Sequence, residues 1–261
     1  TTDAAGLSYD ETLTVNVTDT NDEQVLATNT GATVAENSSA NVITSGALQT
    51  TDVDNTDTQL VYTITSASTN GTLKLNGVAL ALNDTFTQAN INAGVVTYDH
   101  DGSETVSDSF GFSVDDGTGS ASTGTFEFTI TPVNDNNPII TSNGGGSGAS
   151  VSVAENSTHV TTVTATDADL PSQTLTFSII GGADASLFSI DANTGELSFT
   201  SGRDRENHTD ADSNGIYELN VMASDGTLTD TQNISVTITD VDEFDVTAPT
   251  DSDAADNEVD E

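Results

Sequence analysis

YELNVMAS (217–224) and NISVTIT (233–239) are the stretches on which the fold turns. In the first, Tyr217, Leu219, Val221 and Ala223 fall on every second residue. In the second, Ile234, Val236 and Ile238 do the same. A period of two sends apolar side chains to one face of an extended chain and polar ones to the other, the mark of a strand with one buried face. Working outward, Phe126, Phe128 and Ile130 alternate in TFEFTITPV (125–133), while LVYTIT (60–65) and LTFSII (175–180) are rich in β-branched and aromatic residues. Turn dipeptides fall around these runs: Asn70-Gly71, Asn76-Gly77, Asp101-Gly102, Asp116-Gly117, Thr194-Gly195 and Asp225-Gly226. Only TQANIN (87–92) reads as a short helical turn. Many short strands joined by turns predict an all-β sandwich or barrel.

Charge excludes several roles. The 261 residues hold 42 acidic side chains against 3 basic ones, a formal net charge of -39. So few cations cannot neutralise phosphates, which argues against a nucleic-acid partner, and an anionic membrane surface would repel the chain. With no Cys there is neither a disulfide framework nor a thiolate metal site. No apolar run approaches the ~18 residues of a spanning helix, so no direct membrane insertion is expected in this segment. High charge is a signature of disorder, but the alternation above argues for folding over most of the length.

The chain repeats itself. TVAEN (33–37) returns as SVAEN (152–156), TTDVD (50–54) as ATDAD (165–169), and SVDDGTG (113–119) as MASDGTL (222–228). A strand running into an Asn/Asp-rich stretch occurs three times: VNVTDTNDE (15–23), FTITPVNDNNP (128–138) and VTITDVDEF (236–244). Asp52 and Asp167 are 115 positions apart, Asp116 and Asp225 are 109 apart, and Asp135 and Glu243 are 108 apart. These offsets predict two complete units, 24–135 and 136–243. Residues 1–23 read as the last strands of a truncated unit, and 244–261 as the start of another. The chain is then a window on a longer array.

The second unit resembles the cadherin repeat. In order it shows the AEN motif (Glu155), DAD (Asp167, Asp169), DRE (Asp204, Arg205, Glu206), ASDG (Asp225) and the linker DVDE (240–243), preceded by VNDNNP (133–138). The first unit, with FTQANINAGVVTYDHDGSE (86–104) and SFGFSVDDG (109–117), is similar to the cadherin-like repeats of chondroitin-sulfate proteoglycans; its DHDGSE stands where DRE would be. The resemblance implies tandem Greek-key β-sandwiches of immunoglobulin-like architecture, stacked end to end, with calcium at the junctions.

Carboxylates and amide oxygens are the ligands a hard cation such as Ca2+ takes, roughly six to eight per ion. The resemblance implies three ligand sets. The middle one comprises Glu36, Asp101, Glu104, Asn134, Asp135, the carbonyl of Asn136, Asp167, Asp169 and Asp225. The first comprises Asp19, Asn21, Asp22, Asp52, Asp54 and Asp116. The last comprises Glu155, Asp204, Glu206, Asp240, Asp242 and Glu243. Pro132 stands where the family linker begins with Asp, which removes one carboxylate from a junction that in the family holds up to three ions. Within each DxD pair, residues two apart on an extended strand face the same side. Against these stands the plain alternative that Asp residues such as Asp84, Asp184 and Asp230 are solvated turn formers. His100 is expected to be structural, and His159 and His208 exposed.

Function follows from this set. No nucleophile–base arrangement or phosphate-binding glycine loop is present, so an enzyme is not expected. The expectation is a calcium-rigidified, extracellular repeat segment, a stalk or extender of a bacterial cell-surface or secreted adhesin. Its partners are neighbouring repeats of the same chain. Alternatives are a carbohydrate-binding module, which exposed aromatics would support, and a filament former that binds copies of itself through an edge strand.

Overall fold

The computed structural model describes residues 2–8, 10–18 and 20–241. The chain divides into two compact units, Thr1–Thr131 and Pro132–Glu261, and each is a β-sandwich.

In the first unit a five-stranded sheet runs in the order Ala32–Ala35, Ser122–Thr131, Ser107–Asp115, Val61–Ser66, Thr85–Thr87. Ala32–Ala35 joins Ser122–Thr131 in parallel, while the other pairs are antiparallel. A four-stranded sheet runs Asn41–Val42, Val96–His100, Gly71–Leu75, Val78–Ala79, and Val25–Asn29 pairs with Leu48–Thr51. The alternating residues close the core: Phe110, Phe112, Val114, Phe126, Phe128 and Ile130 are all buried. Tyr98 stacks on Phe128 with ring centroids 3.9 Å apart, and Tyr62 on Phe86 at 4.9 Å. Burial of each such ring contributes roughly 1.5–3 kcal/mol.

Local chemistry fixes the corners. Asn76 and Gly77 both have positive φ (51° and 78°), the primed hairpin turn that matches strand twist. The helical turn expected near 87–92 is the helix Gln88–Asn92, capped by Thr87, whose hydroxyl accepts from the Asn90 amide. Tyr98 donates to Asp108 Oδ2 (2.7 Å), and the same buried carboxylate accepts the amides of Thr69 (3.0 Å) and Asn70 (3.1 Å), tying the 69–70 turn to the sheet.

The second unit repeats the plan. Its larger sheet runs Gly148–Ala154, Thr229–Thr239, Ile216–Ser224, Thr176–Gly181, and Gly148–Ala154 again joins the long strand Thr229–Thr239 in parallel. The facing strands are His159–Thr162, Glu196–Phe199 and Phe188–Ile190, with a small Ile139–Ile140/Ala165–Thr166 pair. Tyr217, Leu219, Val221, Ala223, Ile234, Val236 and Ile238 form its core. Gly195 has φ +71°, and a Cβ there would lie 2.0 Å from the Val163 carbonyl, so Thr194-Gly195 admits no other residue without displacement.

The strands expected over 1–23 do not form among the described residues there. The pairing is one bridge between Thr2 and Ser8, and Leu13, Val15 and Val17 are exposed. The expected start of another unit at 244–261 lies outside the described residues.

Candidate metal centres

The AEN motif acts the same way in both units. Asn37 and Asn156 take left-handed φ (54° and 62°), a conformation Asn tolerates, which turns the chain just after the Glu. The Glu amide bonds the end of the long last strand: Glu36 N donates to Thr131 O (2.9 Å) and Glu155 N to Thr239 O (3.0 Å). Both Glu side chains are buried, at 3 % and 4 % exposure. Glu155 Oε2 accepts the Arg205 amide (3.0 Å) and Oε1 the Val241 amide (2.7 Å), and these two bonds hold its carboxyl below the usual range. Glu155, Glu206 and Asp240 bring carboxylate oxygens within 4.8 Å of one another; Glu36 and Glu104 are paired within the same distance. Asp204 and Asp101 are turned into their own loops. Asp204 Oδ1 accepts the Glu206 and Asn207 amides, and Asp101 Oδ1 that of Ser103.

A second grouping gathers Asp167, Asp169 and Asp225, again with oxygens within 4.8 Å. The DxD segments lie just past strand ends, Thr166 and Thr51, rather than on a strand. Their convergence therefore comes from an Asx turn: Asp167 Oδ1 accepts the Asp169 amide (3.0 Å), and Asp52 Oδ1 those of Asp54 (2.7 Å) and Asn55 (2.8 Å). Asp225 caps its DG turn by accepting the Thr227 and Leu228 amides (2.6 and 2.7 Å). Burial pushes its carboxyl up, but these amides and Asn134 outweigh it and leave it below the ordinary value. Asp225 precedes the strand Thr229–Thr239 and Asp240 follows it. Eleven residues at about 3.3 Å each put the two groupings roughly 35 Å apart along that strand.

The linkers lie on the DxD and DG carboxylates in matching fashion. Asn21 Nδ2 donates to Asp116 Oδ2 (3.0 Å) and Asp22 N to Asp54 Oδ2 (2.6 Å). With its amide nitrogen set toward the acids, Asn134 donates to Asp225 Oδ2 and Asp169 Oδ2, both 3.2 Å. Asp135 N and Asn136 N donate to Asp169 Oδ1 at 3.4 and 3.1 Å. The Asn21 bond is the main reason the Asp116 carboxyl is held low. Two polar neighbours lie beyond the residues named from the sequence: Asn55, whose Nδ2 donates to Asn21 Oδ1 (3.2 Å), and Gln173, whose Nε2 donates to Asn134 Oδ1 (3.0 Å). Asn55 directly follows DVD and was findable there, whereas Gln173 carries no local signal. Asp19, Asp242 and Glu243 lie outside the described residues.

Every side-chain ligand these sets offer is oxygen, as a hard divalent ion requires. Asp52 Oδ2 and Asp167 Oδ2, equivalent atoms in the two units, are buried without a hydrogen-bond donor. An ionised oxygen so placed is satisfied by a cation. The residues fit. His100 does not join them: its Nδ1 accepts the Asn37 and Gly102 amides (3.2 Å each), so the proton sits on Nε2, facing Thr105 Oγ1 at 3.1 Å. The expectation of a solvated turn fails at Asp184, which is buried and accepts from both Ala211 and Glu218.

Comparison with known proteins identifies the class. Residues 24–131 match the family model described as Cadherin-like, and residues 149–239 that of the Cadherin domain. The chain thus carries two cadherin-type domains in tandem. Human FRAS1-related extracellular matrix protein 2 is 33 % identical over 107 residues, 41 % of this chain and 3 % of that protein. Human chondroitin sulfate proteoglycan 4 is 38 % identical over 111 residues, 42 % of this chain and 5 % of that protein. Extracellular matrix protein 3 of Lytechinus variegatus is 42 % identical over 69 residues, 25 % of this chain and 2 % of that protein. The chain therefore spans only a few per cent of these relatives. Among solved structures, mouse cadherin-23 EC22-24 aligns with a TM-score of 0.55 at 21 % identity, covering 82 % of this chain and 65 % of that one. The protocadherin gammaB4 extracellular domain aligns at 0.60 and 20 %, covering 85 % and 35 %. At such identity they share the fold.

Proposed function

We propose that the chain is a calcium-binding extracellular repeat segment, a stalk or extender of a cell-surface adhesin, with calcium as its cofactor and successive repeats as its partners. The observation that carries this reading is the pair of buried, donor-free oxygens at Asp52 and Asp167, each in a DxD turn. In the second repeat, oxygen clusters stand beyond both ends of one strand. Without the ion these carboxylates repel; with it they are neutralised and held, and the array stiffens. In this reading 1–23 and 244–261 belong to adjoining repeats of the same array. The extracellular setting draws on the matrix proteins among the relatives, and the cysteine-free, Asp-rich composition favours a bacterial surface. The role is mechanical rather than catalytic. Among the described residues no helix is long and apolar enough to cross a membrane.

Carbohydrate binding is less favoured, because every Phe and Tyr among the described residues is buried, leaving no stacking platform. Scanning calorimetry in calcium and in chelator tests the proposal. Binding to the folded state alone adds ~2.7 kcal/mol at a hundredfold excess over the dissociation constant. That gain should be lost from the second repeat in Asp225→Asn. Identical melting with and without calcium would overturn it.

A further inference from the structure

The loop between the DRE motif and the strand Ile216–Ser224 holds another set of oxygens, on residues outside the clusters above. Residues 210–215 read Asp-Ala-Asp-Ser-Asn-Gly. Oxygen side chains at the first, third and fifth places, with Gly at the sixth, follow the spacing by which an EF-hand loop wraps its first ligands around calcium. With 42 acidic residues in the chain such spacing also arises by chance, and its geometry sets this loop apart.

Asp210 is only 6 % exposed. Its Oδ2 accepts the backbone amides of Asn214 (2.7 Å) and Gly215 (3.3 Å), so the chain curls around the carboxylate. Ser213 and Gly215 take positive φ (56° and 79°) to make that curl. Its Oδ1 is buried and has no hydrogen-bond partner. Asp210 makes no ion pair among the described residues, although the Arg203 guanidinium bonds Thr209 beside it (3.3 Å). A carboxylate oxygen buried without a hydrogen-bond donor is a cost that a folded protein keeps where a ligand meets it. The neighbouring oxygens suit one. Asn214 Nδ2 donates to Asp212 Oδ2 (2.8 Å), and Asn214 Oδ1 accepts the Ile216 amide (2.7 Å) while keeping a second lone pair.

The loop is also braced from outside. Asp184 Oδ1 accepts the Ala211 amide (2.7 Å), and its Oδ2 that of Glu218 (2.8 Å). Asp184 N donates to Glu218 O (3.0 Å). With both oxygens engaged, Asp184 is a strut that fixes the loop on either side. The first repeat has no such loop, since only Thr105 and Val106 separate Glu104 from its strand Ser107–Asp115.

We propose that Asp210, Asp212 and Asn214 form a calcium site within the second repeat, anchored on Asp210 Oδ1 and independent of the clusters at the strand ends. The twelfth place of the loop is Val221, where an EF-hand has a bidentate Glu. Water therefore completes the shell, and the dissociation constant falls in the range of extracellular modules, about 10⁻⁴–10⁻³ M.

The test is a calcium titration of residues 1–261 followed by amide NMR, with magnesium as the control ion. Asn214 and Gly215 should shift saturably with calcium in that range, and less with magnesium. Asp212→Ala, at an exposed position, should weaken this response at least about tenfold. The Arg205 and Val241 amides, bound to Glu155, should titrate in that variant as in the parent chain, and they report separately on the strand-end proposal. Asn214 and Gly215 unmoved by calcium, or moving identically in Asp212→Ala, would overturn the site.

Discussion

The two repeats solve one architectural problem with different materials. Both hold their AEN Glu against the end of the last strand and both cap a DxD turn and a DG turn with linker amides. Their cores and their DRE regions differ. The first repeat stacks Tyr62, Phe86, Tyr98, Phe110, Phe112, Phe126 and Phe128 in one cluster, whereas the second relies on Phe177, Phe188, Phe199 and Tyr217 among aliphatic residues. Beside the AEN turn the first repeat places His100, which accepts the Asn37 amide, while the second uses the Arg203 carbonyl. Arg203 lies over the Phe199 ring, 5.3 Å from its centroid, and bonds Thr209 at the start of the long loop. The likeness lies where charge must be gathered, and the variation where only volume must be filled.

The largest test of this comparison is in the cores. Phe110 contacts Phe86, Phe112, Phe126 and Phe128, so Phe110→Ala should cost about 3–5 kcal/mol. Chemical denaturation should show the first transition displaced and the second unmoved. Next comes the ion. If the acidic ends are equivalent, chelation should lower both transitions, and Glu155→Gln should remove most of the calcium gain from the second repeat alone. Acid should act in the same direction. Asp116, Glu155 and Asp225 have lowered carboxyl values in the folded chain, so their contribution is complete above the unfolded value of about 4. It is lost as pH falls through the folded values, which melting curves between neutral pH and about pH 3 would follow.

Two smaller effects should be confined to the first repeat. Tyr98→Phe removes the phenol from Asp108, a bond to a charged acceptor, and should cost about 1.5 kcal/mol by thermal melting. Asn76→Ala puts a residue with a poor left-handed conformation into the primed turn and should cost about 1 kcal/mol.

Much of the sandwich was readable because alternation is a local signal: Tyr217 to Ala223 and Ile234 to Ile238 declare their faces residue by residue. Self-similarity then set the tandem order. What was not readable depends on long-range closure. The DxD acids sit beyond their strands and converge through an Asx turn, which strand alternation does not describe. Asp101 and Asp204 look equivalent to Glu104 and Glu206 in a motif, but each is taken up by amides of its own loop. Asp184 resembles any turn Asp until the fold brings residues 211 and 218 to it.

Small-angle X-ray scattering of residues 1–261 in millimolar calcium, and again in chelator, tests the central claim of a metal-stiffened repeat segment most directly. The account requires a long, narrow distance distribution with calcium that broadens or contracts when calcium is withdrawn. Superimposable profiles would mean that the clustered carboxylates are solvated turns, and the calcium-stiffened stalk would be wrong.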